Sequence, residues 1–169
     1  MTFPIVRNEH RNNILHMTIA PAEVSEDVAK EAHELALRLA QGFELAGILA
    51  IELFVTKDER VIVNELAPRP HNSGHYTIEA CSFDQFDAHI RGIAGWPLEQ
   101  PELLKPAVMV NVLGQHVAPT RALIAEHPEW NMHDYCKAEV RHDRKMGHIT
   151  VLTDDTRQTV RILNGPAAG

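Results

Sequence analysis

The chain has no apolar run long enough to cross a bilayer. Its longest, "GILAI" and "AVMV", fall far short of the roughly 20 residues a spanning helix needs. It has only two cysteines, Cys81 and Cys136, far apart and without a C-x-x-C pair. That excludes a disulfide framework and suits a reducing compartment. No basic-then-apolar leader follows Met1, and the absences together predict a cytoplasmic protein. Basic residues are in deficit, with 16 Lys and Arg against 23 Asp and Glu and a net charge of -7. A general nucleic-acid binder would show the opposite balance. The 11 histidines are scattered, and neither H-E-x-x-H nor a Cys/His zinc spacing occurs; His16, His33, His89, His116, His127 and His133 follow no usable pattern. No glycine precedes Gly42, no G-x-x-x-x-G-K-S/T is present, and Lys30 is the sole lysine before Lys57. The chain therefore carries no glycine-rich phosphate loop of its own.

What is present fits a globular protein of 169 residues, 44% hydrophobic and 23% charged, enough for one domain or two small ones. "PIVRNEH" and "ILHMTIA" flank Asn12-Asn13 and predict a hairpin over Pro4 to Ala20, because asparagine tolerates the positive φ of a tight turn. Ser25 caps a predicted helix with an apolar stripe of Val24, Val28, Ala32, Leu35 and Leu39, with Gly42 as its stop. Leu45–Val55 and Val61–Leu66 read as paired strands, and Phe83 to Ile93 as a helix. Three prolines in "GWPLEQPELLKP" mark a boundary between residues 1–97 and 98–169. Beyond it a strand over Ala107–Leu113, a helix over Ala118–Glu126, a hairpin over Tyr135–Leu152 and a last helix from Asp154 are expected. Cys81 and Cys136 read as small buried apolar residues. The fold class is α+β.

"VIVNELAPRPHNSGHY", residues 61–76, places Asn64, Glu65, Arg69, His71, Asn72 and His75 directly after a strand. If Lys57–Arg60 forms the preceding turn, Thr56 faces Val61, Phe54 faces Val63 and Glu52 faces Glu65. Side chains alternate along strands, so the two glutamates then share one face. Opposed like charges destabilise a sheet unless compensated, and Mg²⁺, which takes one or two carboxylates plus phosphate oxygens, is a suitable compensator. Spacing alone leaves open a frayed or shifted hairpin with solvated glutamates. Position favours the metal reading, because Glu52 lies inside "AIELF", where an unpaired charge is costly.

These segments, with "QFDAHIRGIAGWPL" and "KAEVRHDRKMGHITV", resemble the N5-carboxyaminoimidazole ribonucleotide synthetase family of ATP-grasp enzymes. The resemblance covers nearly the whole chain, and "PRPHNSGH" with "RKMGHI" is its most particular part. It implies a C-terminal ATP-grasp subdomain, an antiparallel sheet with helices, followed by a small β-rich C-terminal domain. It implies ATP and Mg²⁺ as cofactors, with Glu52 and Glu65 as metal ligands and His10, Asn64 and Glu65 contacting the nucleotide. Arg69 and His71 fall near the phosphoryl-transfer centre, and Asn72, Lys137 and Arg144 on the ribonucleotide substrate. Where the family has glycine at the hairpin turn, this chain has Asn13. In a hairpin turning at His142-Asp143, Arg141 would face Arg144 and Lys137 would face His148, a positive face suited to phosphate. By themselves those residues favour a solvated basic edge that discourages strand addition.

The resemblance implies ATP-dependent carboxylation of 5-aminoimidazole ribonucleotide by bicarbonate in purine biosynthesis. It also implies a homodimer when intact, with no nucleic-acid or membrane partner. It begins only in the second half of the family's chain. The expectation is a C-terminal fragment that lacks its N-terminal half as a partner and has little activity alone. The alternatives are a formate-using relative, against which "HNSGH" counts, and a non-catalytic binding or assembly module.

Overall fold

The computed structural model describes residues 1–164. In chain order its elements are β1 (Arg7–Arg11), β2 (Ile14–Ala20), α1 (Glu26–Gly42), β3 (Ala50–Val55), β4 (Val61–Ala67), α2 (Thr77–Ala80), α3 (Gln85–Ala94), β5 (Ala107–Leu113), α4 (Val117–Leu123), β6 (Asn131–Asp134), β7 (Lys145–Leu152) and α5 (Thr156–Leu163). They form two compact units. The first holds Met1–Ile5 and Ala22–Leu104; the second holds Val6–Pro21 and the chain from Lys105 onward. A division at 97/98 would leave the N-terminal hairpin in the first unit. Instead β2 pairs with β5, Ile19 opposite Val108, and so builds the hairpin into the second unit's sheet. Among the described residues, no helix is long and apolar enough to cross a membrane.

The second unit is an antiparallel sheet of order β1-β2-β5-β7-β6. Asn12 and Asn13 both take positive φ, 49° and 61°, as the two-residue hairpin turn requires. On one face Met17, Ile19, Val108, Val110, Val112, Ile149 and Val151 are buried together, and Val160 and Leu163 of α5 pack on them with Trp130 and Met132. The alternation of apolar side chains along β5 and β7 produces that core. The other face carries Thr18, Asn111, His148 and Thr150, all buried, and Asn111 donates to the Leu15 carbonyl at 2.9 Å.

The first unit packs α1 against β3 and β4. Ser25 caps α1 through the Val28 N–H, and Glu26 and Asp27 occupy its first turn, where the helix dipole favours negative charge. The helix stops at Gly42, its last residue, as expected. Phe43 is its C-cap, and Glu44, at φ 48°, takes the left-handed position usually given to glycine. The Glu44 and Leu45 N–H groups return to the carbonyls of Gln41 and Ala40, completing a Schellman cap. That cap occupies residues expected to begin the next strand, so β3 starts at Ala50 and not Leu45. Gly47, at φ 110°, lies so close to α3 that a Cβ on Gly92 would meet its Cα at 2.9 Å.

Of the two cysteines, Cys81 is buried and Cys136 is exposed, which corrects the expectation that both are buried. Burial pushes the Cys81 thiol up to about 11. At pH 8 a thiol reagent should therefore modify Cys136 well before Cys81, as peptide mass mapping over time will show. Ile149→Ala, at the centre of the core, should cost about 2–5 kcal/mol and Ile149→Val about 0.5–1.5 kcal/mol, measured by urea unfolding.

Candidate active site

The site begins at the β3–β4 hairpin. Its tip is one residue longer than the expected turn: Thr56 N–H bonds to the Arg60 carbonyl, and Val55, not Thr56, lies opposite Val61. Phe54 consequently pairs with Ile62 and Leu53 with Val63, correcting the expected Phe54–Val63 pair. A bulge between Glu52 and Leu53 then shifts the register back by one residue, and Glu52 lies opposite Glu65. The two offsets cancel at the carboxylates. In a bulge two residues oppose one, and here Asn64 and Glu65 together face Glu52. The Asn64 amide donates to Glu52 Oε2 at 3.3 Å.

Glu52 is half-buried and Glu65 exposed. Neither has a lysine or arginine partner among the described residues. The nearby ionisable group is His71, whose Nε2 lies 3.9 Å from Glu52 Oε1. The Ser73 N–H points at His71 Nδ1, at 3.4 Å, and the Ser73 hydroxyl lies 2.9 Å from the same nitrogen. With Nδ1 accepting, neutral His71 carries its proton on Nε2, the nitrogen turned toward Glu52.

This donor set fits Mg²⁺. Two carboxylates from facing strands, one steadied by an amide, leave coordination positions for phosphate oxygens and water. No group of three or more His, Cys, Asp or Glu among the described residues could hold a metal ion.

Arg69 follows at the end of β4, exposed, with its guanidinium bonded only to the neighbouring Pro70 carbonyl among the described residues. Asn72 opens a short 3-10 turn, Asn72–Gly74, capped by His71. His10 is exposed on β1 opposite Leu15, in the second unit.

The second unit also carries Lys137 and Arg144, on a loop and not in the expected hairpin. Asp134 Oδ1 accepts the Cys136 N–H at 2.8 Å, and Cys136 turns left-handed at φ 50°, which diverts the chain and ends β6. His148 is consequently paired with His133, not Lys137. Lys137 instead donates its ammonium to the Lys145 carbonyl at 2.5 Å and sits 5.3 Å from the centre of the Tyr135 ring. The turn at His142-Asp143 does form, closed by Arg144 N–H to the Arg141 carbonyl at 3.2 Å. Glu139 pairs with Arg141, and Arg144 has no carboxylate partner among the described residues.

Residues 1–86 match the family model of the ATP-grasp domain, and residues 107–161 that of the phosphoribosylaminoimidazole carboxylase C-terminal domain. The chain belongs to the ATP-grasp family. A similar ATP-grasp relative is the N5-carboxyaminoimidazole ribonucleotide synthase of Staphylococcus saprophyticus, 47% identical over 158 residues, or 93% of this chain and 42% of the relative. The N5-carboxyaminoimidazole synthetase of Staphylococcus aureus, solved with ADP, superposes at a TM-score of 0.91 with 47% identity, covering 96% of this chain and 44% of that one. The Aspergillus clavatus synthase, solved with ADP and 5-aminoimidazole ribonucleotide, gives 0.85 and 34% identity over 92% of this chain and 44% of that one. The chain thus spans about 42% of the length of the curated relatives it matches.

One residue that supports this candidate site gives no signal in the sequence. Gln85, the first residue of α3, is 2% exposed. Its carbonyl accepts the His71 N–H and its amide donates to the His71 carbonyl, both at 2.9 Å. The amide also lies 2.8 Å from His75 Nδ1, and the Gln85 N–H bonds Thr77 Oγ1 at 3.0 Å. A Cβ on Gly74 would sit 2.4 Å from Gln85 Oε1, so glycine there lets the loop close around the glutamine. A polar side chain in the first turn of a helix reads from sequence as solvated, and its burial depends on this tertiary contact. Gln85→Leu should leave the His71 backbone groups unmet, at about 1–3 kcal/mol of stability. It should also shift the His75 ring ¹⁵N resonances, measured by histidine-selective NMR.

Proposed function

We propose that this chain is the C-terminal part of an ATP-dependent ligase that carboxylates 5-aminoimidazole ribonucleotide with bicarbonate. The products are N5-carboxyaminoimidazole ribonucleotide, ADP and phosphate. Along the sequence, residues 1–97 act as the C-terminal part of the ATP-grasp domain and 98–169 as the small C-terminal domain, with the Val6–Pro21 hairpin built into the sheet of the second unit. The observation that carries the reading is the bulged β3–β4 hairpin, which sets Glu52, Asn64 and Glu65 on one face. The similarity to synthases solved with ADP and with 5-aminoimidazole ribonucleotide supports it.

In this reading bicarbonate oxygen attacks the γ-phosphorus of ATP, ADP leaves, and carboxyphosphate forms. The substrate amine then attacks the carboxyl carbon and expels phosphate. Such transfers depend on positioning and charge neutralisation more than on covalent chemistry by the protein. Mg²⁺ held by Glu52 and Glu65 would supply neutralising charge to the β- and γ-phosphates. Asn64 keeps Glu52 oriented and, with His10, contacts the nucleotide. Arg69, a cation with no carboxylate partner among the described residues, holds the carboxyphosphate for attack. His71 presents an N–H donor beside Glu52 and orients bicarbonate or passes a proton. Asn72, Lys137 and Arg144 bind the ribonucleotide.

The partner in this reading is the N-terminal half of the enzyme, either as a separate chain or as part of a longer one. Phe54 and Ile62 are exposed on one face of the hairpin and Val55 and Val63 on the other, apolar side chains of the kind another part of a protein covers. A homodimer, cytoplasmic location and a Mg²⁺ and ATP requirement complete the proposal.

The test is ADP release with Mg-ATP, bicarbonate and 5-aminoimidazole ribonucleotide. This chain alone should not turn over, and adding the family's N-terminal half should restore activity that needs all three substrates. Turnover by the chain alone would sink the half-enzyme reading. In the complemented enzyme Glu65→Gln should lower kcat by at least about 100-fold; an assembly module would be indifferent to it.

A further inference from the structure

The loop that carries Lys137 and Arg144 is exposed over residues 138–144, yet it is tied down from the end of β5. Gly114 N–H donates to the Arg144 carbonyl at 3.0 Å. The two backbones approach so closely that a Cβ on Gly114 would meet the Arg141 carbonyl oxygen at 1.9 Å. Beside it Gln115 grips Asp143 at both ends of its amide. Its Nε2 donates to Asp143 Oδ1 at 2.8 Å, and its Oε1 accepts the Asp143 N–H at 2.9 Å. Asp143 is held left-handed, at φ 58°. Arg144 Nη1 donates to the Glu139 carbonyl at 3.1 Å, so the guanidinium is anchored at one nitrogen and keeps other donors for a ligand. Solvent alone would satisfy the polar groups of an exposed turn, so a reciprocal amide clamp there must serve order and not hydration. It fixes a segment between β6 and β7 that has no ladder of its own among the described residues.

We propose that Gly114 and Gln115 are positioning residues that hold the Arg141–Arg144 turn, and Arg144 with it, in a geometry ready for a phosphate monoester. The inference rests on the reading of Lys137 and Arg144 as ribonucleotide-binding residues. An arginine whose loop is ordered before binding loses less entropy on binding than one that must be ordered by the ligand. The clamp therefore contributes to affinity for the phosphate group and not to the transfer chemistry.

The experiment is titration of ribose 5-phosphate into this chain, followed by ¹⁵N spectra with the Gly114 amide as reporter, together with thermal melting. Gln115→Ala removes the clamp without adding charge and should weaken binding about tenfold. Gln115→Glu sets two carboxylates against each other and should weaken it at least as much. Adding Asp143→Asn to Gln115→Glu restores the complementarity with the roles reversed, since the new carboxylate at position 115 accepts from both the new side-chain amide at position 143 and the backbone N–H there. That charge-matched double variant should recover affinity to within about threefold and return the Gly114 resonance to its native position. Unchanged affinity in Gln115→Ala, or no recovery in the double variant, overturns the positioning role. A lowered melting temperature with unchanged affinity does so too, since it leaves the clamp a structural part only. Arg144→Ala separates the two claims. If it binds ribose 5-phosphate as the native chain does, or if the native chain shows no saturable binding, the phosphate-grip reading fails and the proposal falls with it. If Arg144→Ala weakens binding while Gln115→Ala does not, only the clamp is wrong. In the intact enzyme the Gln115→Ala effect should appear in KM for the ribonucleotide, with kcat little changed.

Discussion

Two carboxylates held opposite one another on paired strands repel, and the β3–β4 hairpin tolerates that repulsion at Glu52 and Glu65. Across a sheet such a pair is destabilising, and a half-buried Glu52 has less water to screen it than a fully exposed one. Local chemistry reduces the cost without removing it. Asn64 donates to Glu52, and His71 Nε2 lies 3.9 Å from the same carboxylate. Neither group carries a permanent positive charge, and two carboxylates on one face suit a divalent cation. The bulge, the loop after β4 and the buried Gln85 all serve to keep that arrangement in place.

The hairpin also shows why register is harder to read than composition. The Glu52–Glu65 pair was legible from a turn of assumed length, but the turn is longer than assumed, and Asn64 absorbs the difference as a bulge. A residue at a bulge is re-aimed toward the opposing strand, so the irregularity that corrects the register also delivers Asn64 to Glu52. The sequence signal was adequate at the carboxylates and misleading between them, where Phe54 pairs with Ile62 in place of Val63.

Elements fixed by local chemistry were readable from sequence. Asn12-Asn13 forms the expected turn, Ser25 caps α1, and β5 has the bounds its apolar run predicted. Features that depend on distant partners were not. Glu44 in a left-handed conformation gives no composition signal, and it displaced the start of β3. The end of β6 at Asp134 follows from one side chain capturing the Cys136 N–H, and it removed Lys137 from the strand position assigned to it. The N-terminal hairpin pairs with β5, some 90 residues away, and local sequence cannot announce a partner at that range. Gln85 belongs to the same class: its burial exists only because the loop from His71 to Thr77 wraps around it.

The two charged loops are supported in a common way. In the first unit the Gln85 amide spans the backbone N–H and carbonyl of His71; in the second the Gln115 amide spans the backbone N–H and carboxylate of Asp143. A primary amide offers a donor and an acceptor at fixed separation, so it can match a peptide-like pair as a strand neighbour would. Both glutamines extend from or directly follow regular elements, α3 and β5, and pass that rigidity to segments with no ladder of their own. The loops differ in burial, and that difference sets what each clamp controls. Gln85 is removed from water, so unmet partners there cost folding energy. Gln115 is solvated, its partners can turn to water if released, and its loss should change how well the loop is ordered more than whether the unit folds.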